Sequence, residues 1–222
     1  MSQNNLKKIL QTKKLNKSSL YLVSPEQFDL KKFSKDLEKI LATKTISLFQ
    51  LRIKNIDKDN LIEYIEKIFP ICKNNNVLFI LNDNPNLVKL YDLDGVHVGE
   101  DDPSINYCRR IIGKNKIIGK SCYNSPTLAI KAQNNGADYI AFGSFFKTET
   151  KKTTKKLNFN QIKGWKNFKS IPVVGIGGIN IFNYKIIAHT NMDFYAISSC
   201  VWKSKLGPDK YLKKFKNIID NC

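Results

Sequence analysis

Eight short apolar runs recur along this chain at regular intervals, with amphipathic stretches between them, and few folds accommodate that alternation. The runs are Leu20 to Ser24, Ser47 to Arg52, Val77 to Asn82, Gly95 to Gly99, Ile117 to Cys122, Asp138 to Phe145, Pro172 to Gly177 and Asp193 to Ser199. Between them, sets such as Leu61, Ile65, Ile68 and Ile71, or Tyr211, Phe215, Ile218 and Ile219, repeat at the three- and four-residue spacing of one helix face. Strands joined by helix-length connections pair in parallel, and parallel strands buried on both faces read as continuous apolar runs. Eight such units predict an α/β fold, a (β/α)8 TIM barrel in a single domain. At 222 residues the chain is compact beside the ~250 typical of that fold. An open doubly wound sheet is the alternative, but no Gly-x-Gly-x-x-Gly turn follows the first run. The expected division is a basic N-terminal extension over residues 1–19 and a catalytic barrel over residues 20–222.

An apolar fraction of 42% with 25% charged residues supplies a core and argues against disorder. The longest uninterrupted apolar run, Val77 to Leu81, is far short of the ~20 residues that cross a bilayer, and no apolar signal core follows the basic start. No membrane association is expected, and the expected location is cytoplasmic. Lysine and arginine exceed the acids by 37 to 19, a net charge of +18. These cations are spread through most segments without one stripe of interleaved aromatics. A basic surface suited to small phosphorylated substrates is therefore expected over a nucleic-acid partner. Five cysteines, odd in number and never spaced C-x-x-C, read as reduced thiols of an intracellular protein, without a zinc site or a disulfide framework. The sequence leaves the oligomeric state open.

In a barrel of this kind the chemistry lies at the carboxyl ends of the strands. After strand two, period-two alternation turns Gln50, Arg52 and Lys54 to one side, which suits an anion or, alternatively, an internal ion-pair network. Strands three and four are followed by Asn82-Asp83 and by Glu100-Asp101-Asp102. Two carboxylates beside cations suit a magnesium ion that keeps some waters and bridges a diphosphate. The competing role is helix capping, since Pro85 and Pro103 follow closely. Strand five delivers Ser121. The loop after strand six carries Thr148, Thr150 and Lys151, donors and a cation for phosphate oxygens unless the loop is simply a solvated lysine-rich segment. Gly177 and Gly178 after strand seven, with Ser198 and Ser199 after strand eight, match a phosphate site, although tight turns also want glycine. His97 reads as core or structural, and His189 lies at a helix end. The implied chemistry relies on a metal and cations more than on a nucleophile and base.

The segments Gln50-Leu51-Arg52-Ile53-Lys54, Leu81-Asn82-Asp83, Asp94 to Asp102, Gly136 to Gly143, Thr148-Glu149-Thr150-Lys151 and Val174 to Ile179 resemble, in order and spacing, the motif series of the thiamine phosphate synthase family. The resemblance covers about residues 20 to 205. It implies a (β/α)8 barrel that joins an aminopyrimidine diphosphate to a thiazole phosphate with Mg2+, releasing diphosphate. Asp83 and Asp102 match the magnesium carboxylates. Arg52, Lys54, Asn82, Thr148, Thr150 and Lys151 match diphosphate or pyrimidine contacts, and Gln50 and Ser121 match pyrimidine-side positions. Of these, Arg52, Lys54, Ser121 and Lys151 are expected to take part in catalysis. Gly177 or Gly178 with Ser198 and Ser199 match the thiazole phosphate site. Glu100, Tyr123, Lys147 and Phe194 stand where the family usually has Gln, His, Pro and Gly. The alternative is a thiazole phosphate tautomerase or another phosphate-binding barrel, in which the two acids would be caps.

Overall fold

The computed structural model describes residues 19–147, 171–190 and 192–221; the basic leader expected over residues 1–19 lies almost wholly outside them. Eight strands form: β1 Ser19–Val23, β2 Ile46–Leu51, β3 Leu78–Asn82, β4 Gly95–Val98, β5 Ile117–Tyr123, β6 Tyr139–Phe142, β7 Val173–Ile176 and β8 Phe194–Ile197. Each pairs in parallel with the next, and β8 pairs with β1, so the sheet closes into the expected barrel. The helices among the described residues are α1 Leu30–Leu41, α2 Lys58–Asn74, α3 Pro85–Leu90, α4 Ile105–Ile112, α5 Pro126–Asn134, α6 Tyr184–Ala188, α7 Ser199–Trp202 and α8 Pro208–Asp220. None of them is long and apolar enough to cross a membrane.

Period-two alternation divides the apolar residues into two clusters. One fills the barrel interior with Tyr21, Val23, Leu48, Leu78, Ile80, Ile117, Tyr139, Ala141, Val174, Phe194 and Ala196. The other strand face packs under the helices, where Phe33 and Leu37 of α1, Ile65 and Ile68 of α2, and Leu212 and Phe215 of α8 are buried. Interior residues alternate in size between strands. A β-carbon on Gly119 would overlap the Tyr139 ring, so the bulk of β6 fits only because β5 carries none there.

Strands β4, β6 and β8 are each preceded by an aspartate that ties down the strand before it. Asp94, Asp138 and Asp193 accept from the amides of Phe79, Ile118 and Val173, each at 2.8 Å. Asp138 also meets Arg109 at 2.7 Å. These acids close the amino end of the barrel, the face where residues serve stability. They also explain two overlong sequence readings. The run Asp138 to Phe145 includes this tie and a loop beyond β6, where Phe145 and Phe146 donate backbone bonds to Ile176 and Gly177 at 3.1 and 3.0 Å. The run Asp193 to Ser199 likewise begins on a tie and ends in the first residue of α7.

Candidate active site

At the carboxyl end the strand termini surround a cavity of about 380 Å3, of the size that holds a small ligand. Gln50, Arg52, Lys54, Asn82, Asp83, Asp102, Ser121, Gly177, Gly178, Ser198 and Ser199 all line it. The fold therefore brings together eleven of the fourteen residues expected at the site. The other three, Thr148, Thr150 and Lys151, lie outside the described residues.

The two acids are not helix caps. Asn84 caps α3, accepting from Leu87 N at 3.1 Å, and Ser104 caps α4, accepting from Tyr107 N at 3.2 Å. Asp83 instead adopts φ +62, a left-handed conformation that non-glycine residues take up only when their surroundings hold them there. Its amide donates to the His97 carbonyl at 2.9 Å. Asp102 Oδ2 accepts from the Gly99 amide, and Gly99 leaves room for it, because a β-carbon there would come within 2.8 Å of that oxygen. The two carboxyl groups hydrogen-bond each other. Burial raises the Asp83 carboxyl to about 7, aided by the hydrogen bond and the charge of Asp102, against the pull of Lys54 and Arg52. Asp102 goes the other way. Burial works against its charge, but the Asp83 bond, the Gly99 amide, Lys54 and Lys120 together hold it below the ordinary carboxylate range. Two half-buried carboxylates facing each other without an intervening cation can coexist only by sharing a proton.

This pair fits a magnesium ion. Its donors are hard carboxylate oxygens, the ligand type magnesium takes. The two acids would need substrate oxygens and water for the remaining ligands, since among the described residues no cluster of three or more His, Cys, Asp or Glu forms.

The cations face the same mouth. Arg52 is pinned by its backbone, which accepts from Ser24 Oγ at 3.2 Å and donates to it at 2.9 Å. Its guanidinium meets Glu26 Oε1 at 2.5 Å, an ion pair with an acid that sequence reasoning did not single out. Glu26 is exposed, so this single pair is not the network inside the barrel that the sequence allowed as the alternative. Lys120, also unforeseen, donates its ammonium to the Gly99 carbonyl behind Asp102.

Across the barrel, Gly177 and Gly178 have φ of +104 and +68, and β-carbons there would collide with Ser144 and with the Phe146 to Lys147 backbone. Glycine is demanded sterically, and the same turn opens onto the cavity. Ser198 Oγ donates to the Ser24 carbonyl at 3.3 Å.

The floor holds what the sequence concealed. Gln50 Nε2 donates to Tyr21 OH at 3.2 Å, Tyr21 OH lies 2.9 Å from Tyr139 OH, Tyr139 OH lies 2.8 Å from His97 Nδ1, and His97 Nε2 lies 2.9 Å from Ser121 Oγ. His97 is buried as expected, yet it lines the cavity and joins the interior layer to Ser121. The interior parity of Tyr21 and Tyr139 was available from the strand pattern; their mutual contact was not. Among the departures from the family pattern, Tyr123 lines the cavity, Phe194 is buried in the barrel interior, and Glu100 and Lys147 are exposed. His189 terminates α6, as expected.

Comparison with known proteins points to one family. The family model described as thiamine monophosphate synthase matches residues 20–201. A thiamine-phosphate synthase of Pelagibacter ubique is 41% identical over 204 residues, covering 91% of this chain and 98% of the relative. One from Rhodospirillum centenum is 34% identical over 200 residues, covering 90% and 97%. Among solved structures, a thiamine phosphate pyrophosphorylase from Pyrococcus furiosus superposes with a TM-score of 0.80 at 28% identity, covering 93% of this chain and 97% of that one.

Proposed function

The chain belongs to the thiamine monophosphate synthase family, and from that premise we propose how its barrel mouth performs the family's reaction. That reaction joins an aminopyrimidine diphosphate to a thiazole phosphate, giving thiamine phosphate and diphosphate. The bond from the pyrimidine methylene carbon to the diphosphate oxygen breaks, and its electron pair leaves with the diphosphate. The thiazole nitrogen lone pair forms the new carbon–nitrogen bond. No proton has to be removed, and Arg52 and Lys54 line the mouth to meet the departing negative charge.

Asp83 and Asp102 would hold Mg2+, which supplies Lewis-acid stabilisation of the departing diphosphate. Arg52 and Lys54 add fixed positive charge on the same side, and Asn82 orients the diphosphate beside them. Thr148, Thr150 and Lys151 belong to this group on the strength of the sequence alone. Gln50 and Ser121 receive the pyrimidine at the floor. The backbone of Gly177 and Gly178, with Ser198 and Ser199, receives the thiazole phosphate on the opposite wall, so the two anions have separate anchors. Van der Waals closure at the rim falls partly to Tyr123. We place the reaction in the cytoplasm.

The observation that carries this reading is the release of both acids from capping, which leaves them to face each other beside two cations. A tautomerase-like barrel would give them no such task. The test is calorimetric titration of Mg2+ into the metal-free protein with inorganic diphosphate present. The wild type is expected to bind, Asp83→Ala and Asp102→Ala to lose most of the affinity, and the double variant to lose little more, because the two hold one ion. Equal binding in all four proteins would exclude the two acids from metal binding.

A further inference from the structure

The wall proposed to receive the thiazole phosphate is built from two segments that the sheet does not join. One is the turn Gly177-Gly178-Ile179 after β7 and the other is Ser198-Ser199 after β8, while the pairing of β7 with β8 ends at Ile176 and Ala196, before either begins. A side chain of α8 spans the gap behind them. Tyr211 OH accepts from the Ile181 amide at 3.1 Å, and its other hydrogen-bond partner is the thiol of Cys200, the residue after Ser199. Tyr211 is buried and does not line the cavity. Its ring meets Phe215 edge to face at 6.3 Å, and Phe215 meets Tyr184 of α6 in the same way at 5.4 Å, so the hydroxyl is held in place by packing.

The bond at Ile181 reaches the glycine turn because the loop between them is braced. Asn180 Nδ2 and Asn183 Nδ2 donate to the Gly178 carbonyl at 3.2 and 2.9 Å, Asn183 Oδ1 accepts from the Asn180 amide at 2.8 Å, and Asn180 Oδ1 accepts from the Phe182 amide at 2.9 Å. The segment from Gly178 to Asn183 therefore moves as one piece. On the other side Ser199 and Cys200 are consecutive residues of α7, so the thiol carries Ser199 with it. We infer that Tyr211 is a positioning residue for the thiazole phosphate, holding the two halves of the phosphate wall at one separation from behind. The inference rests on the proposed seating of that phosphate against Gly177, Gly178, Ser198 and Ser199. A phosphate that meets both halves binds tightly when they already stand at the right separation; halves free to spread must be gathered on binding, which lowers affinity. The diphosphate side has its own supports, such as the bonds of Arg52 to Ser24 and of Asp102 to Gly99, so the effect is confined to one substrate.

The test measures thiazole phosphate binding by calorimetry, and KM for both substrates, in wild type, Tyr211→Phe, Cys200→Ala, Cys200→Ser and the double variant Tyr211→Phe with Cys200→Ala. Phenylalanine keeps the ring against Phe215 and removes only the hydroxyl. Tyr211→Phe is expected to raise Kd and KM for the thiazole phosphate about tenfold, the scale of one buried hydrogen bond, with kcat and KM for the pyrimidine diphosphate unchanged. Cys200→Ala cuts the weaker, sulfur end of the link and is expected to cost about threefold. The double variant loses no more than Tyr211→Phe alone, because the link is already cut, and Cys200→Ser, whose hydroxyl restores the partner, stays near wild type. Unchanged thiazole phosphate binding in folded Tyr211→Phe, an equal rise in both KM values, or additive losses in the double variant would overturn the inference. If Tyr211→Phe does not fold, equal binding by the two Cys200 variants is the refuting result. Thiazole phosphate binding that Ser199→Asp leaves unchanged would instead overturn the seating of the phosphate on this wall.

Discussion

Replacing Asp83 by Asn exchanges a carboxyl that keeps its proton to about pH 7 for a side chain that never ionises. In the unfolded chain the same carboxyl ionises near its ordinary 3.8. Between those values the folded protein binds the extra proton, so in the wild type stability falls as pH rises from about 4 to about 7, and the penalty is complete above that window. Taken whole, the difference corresponds to about 4 kcal/mol. Asp83 is only half-buried, and water screens it, so about 2 kcal/mol is the figure to expect. Asp102 titrates below the window and adds no slope within it. In metal-free protein at pH 8, Asp83→Asn is thus expected to melt about 4 to 8 °C above the wild type, with the gap reduced to about two-fifths of that at pH 5, while its synthase activity is lost. Thermal melts in EDTA at the two pH values measure this. A variant less stable than the wild type at pH 8, or a gap independent of pH, would refute proton sharing by the carboxyl pair.

Other expectations concern separate parts of the barrel. Ser199→Asp puts a carboxylate at the glycine-rich wall and is expected to raise KM for the thiazole phosphate at least tenfold more than KM for the pyrimidine diphosphate; equal effects in steady-state kinetics would show the two anchors to be misplaced. Asp138→Ala removes a buried acceptor shared by the Ile118 amide and Arg109 at the amino end, so denaturant unfolding is expected to show a loss of about 2 to 4 kcal/mol with both KM values unchanged. Burial pushes the Cys122 thiol up to about 12 and the Cys200 thiol to about 11, and raises Cys72 as well. At pH 8 these three are expected to alkylate at least about a hundredfold more slowly in the native protein than in urea, as mass spectrometry of the labelled peptides would show.

The barrel was legible because its strands are short, apolar and separated by stretches of helical period, a pattern that survives errors at the strand ends. Those errors had causes that composition does not reveal. Asp138 and Asp193 serve the neighbouring strand from just outside their own, and Phe145 is buried in a loop by packing over β7 rather than by continuing β6. The side chains of the mouth were legible by parity, since Gln50, Arg52 and Lys54 must face one way if one of them does. The competition between capping and metal binding at Asp83 and Asp102 was not, because Asn84 and Ser104 offered equivalent oxygens one and two residues away, and only the folded backbone decides which of them reaches the helix amides. The chain under the floor was hidden for another reason. Tyr21, Gln50, His97, Ser121 and Tyr139 lie on five different strands, and their contact depends on register, with Asn82 beside His97 and His97 beside Gly119. Glu26 and Lys120 were missed because each acts from behind a candidate residue and belongs to no motif.

The most direct test of the central claim is to incubate the full chain with aminopyrimidine diphosphate and thiazole phosphate and to measure thiamine phosphate and diphosphate together while Mg2+ is removed and restored. Equal amounts of the two products are expected, with loss of both in EDTA and recovery of both when Mg2+ is added in excess. Turnover that persists without divalent metal, or diphosphate released without thiamine phosphate, would contradict a metal-assisted coupling at this barrel mouth.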